Sequence, residues 1–93
     1  MAKSIIKNDR ECYLCGKTVN LERHHIFAGN ANRKISESLG LWVFLCHNCH
    51  TGKNGAQYNK EKNLRLKRYA QRAFEQTHTR DEWMKCIGKN YLG

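Results

Sequence analysis

Four cysteines stand in two matched pairs, Cys12-x-x-Cys15 and Cys46-x-x-Cys49, with 30 residues between Cys15 and Cys46. Thiolates are soft anionic ligands, and a two-residue gap lets two sulfurs reach one ion, so the pairs supply a full tetrahedral set for structural Zn²⁺. With every position taken by protein, such a site is closed and holds a fold rather than a substrate. A different chemistry is offered by the tandem His24-His25, between the pairs, and by His50, directly after the second. Imidazole binds divalent ions and exchanges protons near neutral pH, so these residues suggest a second metal site that reacts. Neighbours on a strand point to opposite faces, so one of His24 and His25 can hold an ion only while the other does something else. His50 reaches the same region only if zinc draws the knuckles together. Without that staple, the three would be scattered surface or packed histidines.

The elements that must position these groups follow from local pattern. Met1 to Arg10 is a polar, basic lead-in, expected to be flexible, and residues 11–93 form one domain with a helical C-terminal extension. Gly16 after the first knuckle lets the backbone turn with its amides toward the sulfurs. Thr18 to Phe27 has strand-like character and carries His24 and His25. Ala28 to Lys34 reads as a loop, and Ser36 to Gly40 as a helical turn that stops at Gly40. Leu41-Trp-Val-Phe-Leu45 is a short apolar run rich in β-formers, hence a second strand feeding the second knuckle. His50 then falls at or near a helix start. Asn59 to Gln76 is helical, with Leu66, Tyr69, Ala70, Ala73 and Phe74 on one apolar stripe and Arg65, Arg68 and Arg72 on another face. Thr79-Arg-Asp-Glu82 resembles a capping box opening a last helix through Trp83, Met84 and Ile87, ended by Gly88. Trp42, Phe44, Tyr69, Phe74 and Trp83 are expected in the core, and Cys86 is read as a small buried apolar residue.

Composition sets the partners. A chain of 93 residues buries little apolar area and needs a staple such as a metal. Two disulfides with one free thiol would be the alternative. No apolar run longer than Ile5-Ile6 opens the chain, so a secretory leader is not expected, and a reduced cytoplasmic setting keeps the thiolates available for zinc. No segment reads as membrane-spanning. The net charge is +9, from 17 basic and 8 acidic residues. Four thiolates and one Zn²⁺ lower it to about +7, a balance that favours a polyanion, most simply nucleic acid.

The run Arg23-His24-His25-Ile26, the apolar strand Leu41–Leu45 and Cys46-His47-Asn48-Cys49-His50 together resemble the HNH, or ββα-metal, nuclease superfamily in its zinc-bearing branch. His25-Ile-Phe-Ala-Gly followed by Arg33-Lys-Ile-Ser-Glu37 is similar to small phage-encoded members and to the RecA-dependent, recombination-enhancing nuclease group. The resemblance covers about Cys12 to Asn59. It implies an α+β, ββα-metal fold stapled by the four-cysteine zinc, with a C-terminal pair of helices. It implies an endonuclease or nickase that hydrolyses DNA with little sequence specificity. His25 would be the general base, and His24 and His50 would hold a divalent ion, Mg²⁺, Mn²⁺, Ni²⁺ or Zn²⁺. By analogy the chain would act as a monomer on DNA within larger phage recombination or packaging machinery, in the cytoplasm of a bacterial host. Arg33, Lys34, Arg65, Arg68 and Arg72 would hold the phosphate backbone.

Two positions depart from the family pattern. Where the family places a middle Asn that orients the base, this chain has the neighbourhood of Leu41, and a backbone carbonyl, Asn30 or Asn32 would have to substitute. Where some relatives carry a further His ligand downstream, this chain offers Asn54, Gln57 or Asn59, or leaves the place to water. A zinc-stapled nucleic-acid-binding module without catalysis is the alternative reading, and a protein-interaction zinc domain a third. A pure binding ribbon has no need of His24, His25 and His50 at these places.

Overall fold

The computed structural model describes residues 3–27, 30–52, 55–56 and 59–93, with the backbone alone for Asn30 and Ala31. The chain is α+β. Strands β1 (Leu21–His25) and β2 (Trp42–Cys46) pair, and helices α1 (Asn30–Leu39), α2 (His47–His50), α3 (Lys60–Phe74) and α4 (Arg80–Cys86) surround them. The strands are antiparallel, in a register running from Leu21↔Cys46 to His25↔Trp42. Opposed residues of such a pair share a face. Arg23 and His25 therefore lie on the side of Phe44 and Trp42, and Glu22 and His24 on the side of Leu45 and Val43. Every residue of β2 is buried, so both faces of the ribbon are covered.

The first strand pairs over a shorter span than its composition suggests, although Ile26 N still donates to the Leu41 carbonyl at 3.1 Å. The larger difference is α1. Residues 30–34, expected in a loop, are helical. Their Asn-rich composition hides the helix, and tertiary contacts override it. The buried Ser36 hydroxyl donates to the Phe27 carbonyl at 3.0 Å and accepts from Phe27 N at 3.2 Å, which seats α1 on the end of β1.

Gly40 ends α1 with φ +73°, and a Cβ there would strike the Lys3 carbonyl. Gly40→Ala is expected to destabilise the fold by about 2 kcal/mol or more, read as a lower urea midpoint, because it adds a left-handed-backbone cost to a backbone clash. The same corner anchors the N-terminal lead-in. Ile5 N donates to the Gly40 carbonyl at 3.0 Å, and the buried Ser4 hydroxyl donates to the Trp42 carbonyl at 2.5 Å. Its composition suggests a flexible tail, but Ser4 is tied to β2 and Ile5 to the end of α1.

Helix α3 starts where Asn59 Oδ1 accepts from Lys62 N at 3.1 Å. Leu66, Ala70 and Phe74 of the expected stripe are buried, with Tyr69 and Ala73 half-buried, while Arg65, Arg68 and Arg72 are exposed. Gln71 is buried too, a polar residue the stripe did not anticipate. Helix α4 opens on the expected capping box between Thr79 and Glu82. Its buried Trp83 meets Phe27 and Phe74 at centroid distances of 5.5 and 5.4 Å, joining the C-terminal helices to the end of β1. Cys86 is half-exposed, because α4 buries only its Trp83 face. Among the described residues, no helix is long and apolar enough to cross a membrane.

Candidate metal centres and the histidine cluster

The four knuckle sulfurs lie within 4.8 Å of one another, with Cys15 Sγ and Cys46 Sγ 3.5 Å apart. The first knuckle is a tight hairpin. Gly16 takes φ +81°, Gly16 N donates to the Cys12 carbonyl at 2.8 Å, and Cys12 N donates to the Lys17 carbonyl at 2.7 Å. Tyr13 N then donates to the Phe44 carbonyl at 2.8 Å, docking the knuckle on β2. The second knuckle needs no loop, since Cys46 ends β2 and Cys49 rides on α2.

Burial pushes the Cys12 thiol up, but hydrogen bonds to the backbone of Cys46, Cys15 and Leu14 outweigh it and bring the group down to about 6. Burial and then the neighbouring thiols push Cys49 up. The fold thus favours one thiolate and resists four without a cation. A bound dication removes that conflict, and an all-sulfur donor set suits zinc. The four cysteines are placed to hold a metal ion. Among the described residues, no other group of three or more Cys, His, Asp or Glu side chains comes together as closely.

The histidines divide as strand geometry requires. His24 is 6% exposed, on the same face of β1 as Glu22, and its ring lies 5.0 Å from the His50 ring. His24 Nε2 is buried and has no hydrogen-bond partner. Burial first, then the charges of His50, His25 and Lys67, lower the His24 pKa to about 4. The ring is therefore neutral at pH 7, the form that binds a metal. His50 Nδ1 lies 2.7 Å from Glu22 Oε1. A carboxylate only accepts, so in the neutral ring Nδ1 carries the proton and Nε2 is the nitrogen with the lone pair. The other Glu22 oxygen lies 3.4 Å from His47 Nδ1. This carboxylate–histidine pairing is the usual support of an imidazole ligand.

His25 sits on the opposite face. Its Nε2 lies 3.1 Å from Glu37 Oε1, with the side chains 13% and 36% exposed. The same reasoning places the proton of the neutral ring on Nε2 and leaves Nδ1 as the basic nitrogen. Glu37 is thus the side chain that meets the His25 ring, a place for which a backbone carbonyl, Asn30 or Asn32 was expected. Asn32 is exposed, and the side chain of Asn30 lies outside the described residues.

Of the downstream ligand candidates, Asn54 and Gln57 lie outside the described residues. Asn59 Oδ1 accepts from Lys62 N and caps α3. Arg33 and Lys34 are exposed on α1, and Arg65, Arg68 and Arg72 are exposed on α3.

Sequence reasoning missed Glu22, Glu37 and Lys67. Glu22 had a signal, two residues before His24 on one strand face. Glu37 lies in the expected turn from Ser36 to Gly40, but nothing local announces its meeting with His25. Lys67, half-buried between the apolar stripe and the arginines, carries a charge that reaches His24. Searches of protein-family models, of curated proteins and of solved structures found nothing that matches this chain.

Proposed function

We propose that the chain is a metal-dependent DNA endonuclease or nickase of the HNH, ββα-metal kind, hydrolysing phosphodiester bonds with little sequence specificity. The observation that carries this reading is the orphaned His24 Nε2, buried beside a second imidazole whose outer nitrogen a carboxylate already holds. A buried polar atom without a partner costs roughly 1–3 kcal/mol. An ion bound by His24 and His50 removes that cost. Two imidazoles leave coordination positions open, as a reacting site requires and the four-cysteine site does not. A divalent ion held there supplies Lewis-acid stabilisation of the phosphoryl group and the departing 3′ oxygen.

The chain's own residues do the rest. His25 Nδ1 takes a proton from water as the water oxygen bonds to phosphorus. Glu37 holds the opposite nitrogen and fixes the ring. The P–O3′ bond breaks and the departing oxygen takes a proton from solvent water, leaving a 5′ phosphate and a 3′ hydroxyl. His24 and His25 are consecutive at the end of β1, so a phosphodiester lying across that end meets both functions. Exposed basic side chains hold the backbone and read no bases.

The ion site is tested by titrating Mn²⁺ or Ni²⁺ into zinc-loaded protein by calorimetry. Wild type takes up one further ion. His50→Ala removes that uptake, and Glu22→Gln weakens it roughly 10- to 100-fold. Uptake unchanged in both variants counts against this site.

A further inference from the structure

We propose that α3 and the C-terminal segment 88–92 form a track for the phosphates of a nucleic-acid strand, centred on Lys67 and Lys89 and sharing no residue with the histidine cluster. The proposal rests on the nucleic-acid reading above and adds to it the residues that grip the strand.

The track is built and not merely charged. Buried Gln71 donates from Nε2 to Asn90 Oδ1 at 2.8 Å and accepts from Tyr91 N at 2.7 Å. Buried Trp83 donates from Nε1 to the Lys89 carbonyl at 2.8 Å. Residues 89–91 are thereby pinned along α3. Two adjoining clefts result, of about 520 and 450 Å³, sharing Leu64, Lys89 and Tyr91. Lys60 and Lys67 line the first, and Arg68 and Arg72 the second. No aspartate or glutamate is among the described residues lining either cleft.

At the junction, Lys67 Nζ and Lys89 Nζ each lie 5.5 Å from the centroid of the Tyr91 ring. Neither ammonium has an acidic partner among the described residues. Two like charges converging on one ring repel each other, and a bridging anion reverses that cost. The Tyr91 ring already packs on Phe27, at 5.7 Å, so it spaces the lysines and is not free to stack on a base. The lysines and arginines lining the clefts are the groups that hold phosphates. Lys67 Nζ is also 5.8 Å from the Phe27 ring, two residues past His25, so the track leads to the end of β1.

The test is fluorescence anisotropy of a labelled DNA duplex with zinc-loaded protein across a salt series, without added divalent ion. Lys67→Gln with Lys89→Gln is expected to weaken binding about tenfold and to flatten the log Kd against log[salt] slope by about 2, as loss of two phosphate contacts requires. Lys89→Gln alone, at an exposed position, should flatten it by about 1. The Arg pair, Lys67→Arg with Lys89→Arg, should retain the wild-type slope. Lys17→Gln with Lys85→Gln, the same charge removed elsewhere, should change it by less than half as much as the first pair. Equal losses from the two Gln pairs would overturn the track in favour of diffuse attraction. Wild-type affinity and cleavage in the Lys67/Lys89 Gln pair would overturn the track and leave the nuclease reading intact. Failure of the wild-type chain to bind DNA would overturn both.

Discussion

Stripping zinc from the four cysteines is expected to unfold the chain. The two knuckles are the junctions of the fold. Tyr13 of the first bonds to Phe44 of β2, and Cys46 and Cys49 of the second join β2 to α2. Without the ion, four crowded thiols remain, with Cys49 resisting ionisation, and the first knuckle loses its tie to the second. Binding energies of structural zinc are on the order of 10 kcal/mol, comparable with the whole stability of a small domain. A strong chelator, or Cys46→Ser, should therefore abolish the cooperative thermal transition and collapse the far-ultraviolet helical signal. Re-addition of one equivalent of Zn²⁺ should restore both in the chelated protein. A sharp transition in zinc-free protein would mean that the Trp83–Phe27–Phe74 core holds the chain alone.

His25→Ala should lower DNA cleavage by about 10²–10⁴-fold, the range of a lost general base, while zinc content and DNA affinity stay at wild-type values. The separation of effects follows from placement. His25 lies on the face of β1 opposite His24 and His50, so its removal leaves the ion ligands in place. Glu37→Gln should produce a smaller fall in kcat, with KM unchanged, because an amide still meets the ring but no longer selects the tautomer. Cleavage unchanged in His25→Ala would remove that residue from the chemistry. A loss of cleavage and ion uptake together would make His25 part of the ion site.

Local pattern revealed some of this site and concealed the rest. The knuckles were legible because two-residue spacing constrains sulfurs to one ion whatever surrounds them. The capping box at Thr79 and Glu82 and the buried stripe Leu66–Ala70–Phe74 were legible because a helix repeats its neighbours every three or four residues. Opposed faces for His24 and His25 followed from strand alternation alone. Helix α1 was legible only at its C-terminal end, from Ser36 to the stop at Gly40. Its first turn lacks apolar periodicity, and what fixes it is Ser36 bonding across to Phe27. Glu37 falls in the turn that was read, but its meeting with His25 depends on where α1 seats on β1. Glu22 and His50 are 28 residues apart and meet only once α2 folds onto β1. The N-terminal anchor has the same character, since nothing near Ser4 in sequence announces a bond to Trp42. Contacts between distant segments, and not the types of residue, carry this missing information.

Metal-dependent hydrolysis of DNA is read from strand cleavage of supercoiled plasmid by zinc-loaded protein. The protein is assayed without added ion and then with Mg²⁺, Mn²⁺ or Ni²⁺. Nicked or linear product appearing only with added ion, bearing 5′ phosphate and 3′ hydroxyl ends, is the predicted result. Intact plasmid with every ion, from folded protein that retains its zinc and binds DNA, would contradict it and leave a zinc-stapled nucleic-acid-binding module.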